Sequence, residues 1–120
     1  MPKVSVISAD WTLRVTVRAE LLHEGFDALG MDSVADLAQA VTQGAIPSAI
    51  VLDAALVTPE TAGPLSGLAR RVPTVVVASR PEVAGEPGAH LEGAAAVLYR
   101  PVRVGEIVSR VKQLLAGHVA

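Results

Sequence analysis

Two hydrophobic periods alternate along the whole chain, and that alternation leaves few architectures open. Residues 3–8 (KVSVIS), 26–30, 49–52 (AIVL), 74–78 (TVVVA) and 95–99 are short runs of mainly aliphatic and β-branched side chains, as strands are. The stretches between them carry apolar residues at helical spacing. Leu13, Val17 and Leu21 recur in this way until Gly25 stops a first helix. Ser33 to Asp36 has the spacing of a capping box and opens a second, with Val34, Leu37, Ala38 and Val41 on one face and Gly44 at its end. Thr58, Pro59 and Glu60 supply a cap, a proline at the first helical position and an acid in the first turn of a third. Val104, Ile107, Val108, Val111, Leu114 and Leu115 define a last amphipathic helix ending near Gly117.

Valines at 75, 76 and 77 suit a strand covered on both faces, which places that strand centrally in a parallel sheet. Pro81, Gly85, Pro87 and Gly88 crowd the residues after it, so the helix expected there is short, late or distorted. Five β-α units connected by right-handed crossovers give a parallel sheet with helices on both faces. A length of 120 residues holds one such domain, spanning 1–120.

Composition removes whole classes of function. Hydrophobic residues make up 51% and charged residues 18%, which describes a buried aliphatic core rather than a disordered chain. One Trp, one Tyr and one Phe leave nothing from which to build a base-stacking platform. A formal charge of −2 without a run of like charges offers no electrostatic partner to nucleic acid or to an anionic membrane. The absence of cysteine excludes disulfides, thiolate metal sites and cysteine catalysis. No apolar run approaches the roughly 20 residues of a membrane span, and the expectation is a soluble cytoplasmic protein.

Ligands of open parallel sheets sit beyond the carboxyl ends of the strands, so the residues that follow each strand are the candidates. They are Ser8-Ala9-Asp10, Asp53, Ser79 and Arg100. A carboxylate, hydroxyls and a guanidinium from separate strands converge on one rim of a chain otherwise poor in charge. Trp11 begins the first helix beside this rim as a partial cover. His23, His90 and His118 lack the spacing and carboxylate partners of a metal site or catalytic triad. Arg70 and Arg71 complement the end of a helix.

The order of these landmarks resembles the receiver domain of bacterial response regulators over essentially the whole chain. Asp53 after the third strand stands at the family's phosphoacceptor position, Ser79 after the fourth at its Ser/Thr, and Arg100-Pro101 where the family has Lys-Pro. Gly25-Phe26, Gly93-Ala94, and Pro101-Val102 leading to Glu106-Ile107 match framework positions. The resemblance implies a flavodoxin-like (CheY-like) doubly wound α/β fold: a five-stranded parallel sheet of order 2-1-3-4-5 in three α/β/α layers. It also implies a cis peptide at Arg100-Pro101.

Three departures bear on mechanism. The family's acidic pair, which holds Mg²⁺, is replaced by Ser8-Ala9, and Asp10 is the nearby substitute, so that a Mg²⁺ would have to sit near Asp10 and Asp53. Arg100 is always charged and can fork onto Asp53, where a lysine acts as a point charge. The family's aromatic switch position falls on Val97, which has neither ring nor hydroxyl.

The reading that follows is a stand-alone receiver-like signalling module. It is atypical in its metal pocket, is not an enzyme, needs no cofactor, and acts by binding a protein, either a histidine kinase or a downstream signalling partner. The alternative is a phosphoaccepting receiver in a histidine-kinase phosphorelay that uses Asp53, with Asp10 standing in for the acidic pair. A flavin or nucleotide binder on the same fold is disfavoured, because residues 8–12 contain no glycine and no G-x-G-x-x-G or P-loop occurs.

Overall fold

A computed structural model describes residues 1–79 and 86–117. Pro81, Gly85 and His118 lie outside the described residues. The elements run β1 (Lys3–Ile7), α1 (Trp11–His23), β2 (Asp27–Met31), α2 (Val34–Thr42), β3 (Ala49–Asp53), α3 (Pro59–Arg71), β4 (Thr74–Ala78), β5 (Ala96–Tyr99) and α4 (Val104–Gly117). Short 3-10 turns at Ala54–Leu56 and Pro87–His90 follow β3 and precede β5. All neighbouring strands pair in parallel, in the order β2-β1-β3-β4-β5.

Alternation along the strands sorts the core into two layers. Val4 and Val6 of β1, Ala49 and Val51 of β3, and Val75 and Val77 of β4 pack with Val17 and Leu21 of α1 and Ile107, Val108 and Val111 of α4. Ile7, Ile50, Leu52, Val76 and Ala78 point the other way, toward Leu37 of α2 and Leu65 and Ala69 of α3. Every residue of β3 and β4 is buried, as the apolar runs require of strands covered on both faces. The middle strand is β3, and β4 lies between it and the edge strand β5.

The helices start where the sequence signals place them. Ser33 Oγ accepts the Asp36 N–H to open α2, and Thr58 forms a reciprocal capping box with Thr61, with Pro59 in the first turn of α3. Arg70 and Arg71 occupy the last turn of α3, and Arg70 pairs with Glu92 at 2.9 Å. Differences from expectation have local causes. Strand β2 begins at Asp27 rather than Phe26, because Gly25 at φ +94° closes α1 and the Phe26 N–H bonds back to the Leu21 carbonyl. Strand β5 begins at Ala96, one residue late, and Ala38 of α2 is exposed while Leu37 takes the buried position. Five β-α units reduce to four α-helices among the described residues, since a 3-10 turn at Pro87–His90 stands before β5 where a helix was expected. That turn lies against the one after β3, and a Cβ on Gly88 would come within 2.5 Å of the Ala54 carbonyl oxygen.

Helix α1 is anchored at both flanks. Arg18 Nε donates to the Ala28 carbonyl of β2 at 3.0 Å, and the Arg14 side chain crosses Gly30 closely enough that a Cβ there would meet its Cγ at 2.9 Å. Lys112 of α4 reaches Glu24, beyond the end of α1, at 2.7 Å. The hydrogen bond from Lys112, and then its charge, hold the Glu24 carboxyl below its ordinary value. No helix among the described residues is long and apolar enough to cross a membrane.

Two outcomes follow from this packing. Ile107→Ala removes a fully buried side chain from the α4 layer and lowers the unfolding free energy by about 2–5 kcal/mol, read as a lower urea midpoint with unchanged slope. Lys112→Met raises the Glu24 pKa toward that of a free carboxyl in an NMR titration. Because that pKa is depressed in the folded state, the contribution of this pair is present above the unfolded-state value and fades as pH falls through the folded one.

Candidate functional site

Parallel register determines what meets at the carboxyl rim. Ile7 pairs with Leu52, so the next residues, Ser8 and Asp53, stand opposite each other. Asp53 pairs with Val77, and Val77 with Leu98, so Ser79 and Arg100 each lie two residues further out on successive strands. With ~3.3 Å per residue and ~4.8 Å between strands, the Ser79 Cα is about 8 Å from that of Asp53 and the Arg100 Cα roughly 12 Å. An arginine spans the second distance, whereas a serine spans the first only when its hydroxyl points straight at the carboxylate.

The hydrogen bonds agree with this arithmetic. Ser8 Oγ donates to Asp53 Oδ2 at 2.7 Å, and Arg100 Nη2 reaches the same oxygen at 3.3 Å. The other oxygen, Oδ1, accepts the Ala55 N–H at 3.1 Å and so caps the 3-10 turn that follows β3. Both carboxylate oxygens are therefore engaged by donors of the chain itself, and Asp53 is only 5% exposed. Such a buried carboxylate is tolerable because it is paired and hydrogen-bonded. Arg100 is more open, with a third of its side chain exposed, and its peptide bond to Pro101 is cis.

Ser8 is held as firmly as the aspartate. Its hydroxyl also accepts the Asp10 N–H at 3.0 Å, its N–H donates to the Met31 carbonyl, and its own carbonyl accepts Arg14 Nη1 at 2.7 Å. Ala9 is exposed. Asp10 turns its side chain to α1, where Oδ1 accepts the N–H groups of Thr12 and Leu13 as the helix N-cap. Ser79 lies on the rim but engages a different carboxylate: Glu86 Oε1 accepts its N–H at 2.7 Å and Oε2 its hydroxyl at 2.8 Å. Val97 of β5 pairs with Val76 of β4 and packs partly buried against the α2/α3 core layer. Trp11 projects from the start of α1, 66% exposed.

Ser8, Asp53 and Arg100 thus form one bonded unit, Ser79 and Glu86 a second, and Asp10 belongs to a helix cap. Sequence reasoning did not find Glu86, which returns to the rim from a stretch without period, nor the roles of the Ala55 N–H and Arg14. Asp10 did carry a signal, since an aspartate directly before a helical run is an N-cap pattern.

The donor set does not suit a Mg²⁺ ion. Magnesium is held by one or two carboxylates with waters and phosphate oxygens in octahedral geometry. Here Asp53 carries a guanidinium and a hydroxyl, Glu86 is bonded to Ser79, and Asp10 is committed to a helix. No group of three or more His, Asp or Glu positioned to hold a metal occurs among the described residues. No buried polar side-chain atom among them lacks a hydrogen-bond partner.

Ser8→Ala deletes the shortest bond to the buried carboxylate and lowers stability by about 1–3 kcal/mol, and Arg100→Ala has an effect of the same order. Because both donors share Oδ2, the double variant departs from additivity in a urea-unfolding cycle.

No protein-family model matches this sequence, and no curated protein matches it either. Solved structures do match. A response regulator receiver protein from Burkholderia phymatum superposes with a TM-score of 0.74 at 21% identity, over 97% of this chain and 96% of that one. A CheY-like receiver domain from Methanospirillum hungatei gives 0.80 at 13% identity, over 98% and 95%. A response regulator from Thermotoga maritima gives 0.69 at 16% identity, over 97% and 98%. With its strand order and the position of Asp53 at the end of β3, the chain has the CheY-like fold of response-regulator receiver domains.

Proposed function

We propose that this chain is an atypical receiver-like module, cytoplasmic and without enzymatic activity, that signals by binding a protein and does not depend on phosphorylation of Asp53. The observation that carries the reading is the engagement of both Asp53 oxygens by Ser8, Ala55 and Arg100. A carboxylate that attacks phosphorus needs a free oxygen and a cation to neutralise charge on the transferring group. At this rim the attacking oxygen is tied to a guanidinium, and the carboxylate of Asp10 is spent on a helix cap. Arg100 gives Asp53 a permanent counter-charge, so the pair serves as a strut between β3 and β5.

A protein partner is supported by the surface. Trp11, Val15 and Leu22 are exposed on α1 within an arc of about 40° at 100° per residue. A large aromatic flanked by aliphatic side chains on one helix face is the chemistry of protein contact. The partner class is a histidine kinase or a downstream signalling protein.

Incubation with Mg²⁺ and acetyl phosphate is expected to leave the intact mass unchanged. Trp11 fluorescence is expected not to respond to Mg²⁺ followed by beryllofluoride beyond the response of Asp53→Ala. A saturable, Asp53-dependent adduct or fluorescence change would overturn the reading and restore a phosphoaccepting receiver.

A further inference from the structure

Helix α3 carries a second pattern on the side away from the core. At 100° per residue, Glu60, Pro64, Gly67 and Arg71 fall within an arc of about 60°, opposite the buried Leu65 and Ala69. Glu60, Pro64 and Arg71 are exposed and Gly67 partly so, and neither Glu60 nor Arg71 joins an ion pair among the described residues. At ~1.5 Å per residue the two charges stand ~16 Å apart along the axis. Proline and glycine are poor residues in a helix interior, yet both occupy this line. The chain's own packing does not call for the glycine: a Cβ on Gly67 would meet nothing within 4 Å, whereas one on Gly88 or Gly93 would strike neighbouring atoms. Beside the line, α2 and α3 stand apart over an apolar groove of about 650 Å³, with Val34, Ala38 and Val41 on one wall and Leu65 and Leu68 on the other.

We propose that this face of α3 is a homodimer surface, on which a second copy of the chain docks its own α3 antiparallel across a two-fold axis. The line is complementary to itself. In an antiparallel pair centred between Leu65 and Ser66, Glu60 of each copy meets Arg71 of the other, and Pro64 of each meets Gly67 of the other. The charges at the ends and the residues in the middle share one midpoint, which an isologous contact requires and a contact with an unrelated protein does not. Where the helices cross, the proline ring of one copy enters the space that a side chain at position 67 of the other would fill, and the backbones approach closely. The charge pairs fix the antiparallel register and exclude the parallel one, in which like charges would face each other. With the helices stacked in this way the two α2/α3 grooves close over each other, and their apolar walls leave water. One helix with the groove beside it makes a small interface, so the dimer is weak and dissociates in the micromolar range or above. The surface lies across the sheet from α1, which packs in the other core layer, so the inference goes beyond the binding of a signalling partner through α1 and stands without it.

The test is sedimentation velocity on the full chain at low ionic strength, from micromolar to millimolar concentration. The parent is expected to pass from monomer to dimer and no further, because a two-fold contact closes on itself. Glu60→Arg and Arg71→Glu each set like charges together at both ends of the seam and should raise the dissociation constant about tenfold or more. In an equimolar mixture of these two variants opposite charges face each other again at both ends, and the mixture should dimerise as the parent does. The double variant Glu60→Arg/Arg71→Glu should do the same on its own. Gly67→Leu fills the space for the proline ring and should also abolish the dimer. Its urea midpoint at micromolar concentration should be no lower than the parent's, because its Cβ has open space and leucine is the better helix former. A parent that stays monomeric at millimolar concentration overturns the proposal. So does a dimer that both charge variants form as tightly as the parent, or a loss in the single variants that their mixture does not rescue. A dimer lost in Trp11→Ala but kept in the charge variants belongs to α1 and overturns it as well.

Discussion

Parallel pairing with a fixed register is the constraint on which everything else in this molecule rests. The three inner strands β1, β3 and β4 hide both faces, so their interior positions are nearly all apolar, and charged side chains find room only at their ends. All five strands run the same way, which brings those ends to one edge. Ser8 stands opposite Asp53 because Ile7 stands opposite Leu52. A shift of one residue would turn Asp53 into a core layer, where no donor waits for it.

At that edge the chemistry is internally complete. Asp53 has three donors, Ser8 uses its hydroxyl both to give and to receive, and Ser79 has a carboxylate of its own. A rim balanced in this way is a poor place to stabilise charge that builds up during a reaction, because preorganised donors help only when something new can bind to them. It is a good place to hold strand ends and loops in one arrangement. The fold and the chemistry of its rim are thus separable properties.

How much of this could be read from residues follows from which forces are local. The strands and helices were legible because apolar period and capping residues act within a few positions: Thr58 with Pro59, Ser33 with Asp36, and the three valines of β4 all lie where they were expected. The rim residues were legible because strand ends define it, and Arg100 is long enough to reach Asp53 across β4. Boundaries shifted where a backbone bond prevailed over propensity, as at Phe26, whose N–H closes α1. Glu86 was illegible because its role depends on a return of the chain that no period announces. Asp10 fell between the two, read as a spare carboxylate for a metal although its place before Trp11 made it a cap.

The arginines of α1 have a bearing on how copies of this protein behave toward one another. Strand β2 ends the sheet on one side, and an unpaired strand edge invites another chain to add itself there. On this edge a guanidinium from Arg18 sits on the Ala28 carbonyl, while Arg14 crosses the face of the strand at Gly30 to reach the Ser8 carbonyl. A strand from a second copy would have to displace the Arg18 side chain before forming its ladder. The contact that helps seat α1 therefore also hinders the sheet from growing sideways.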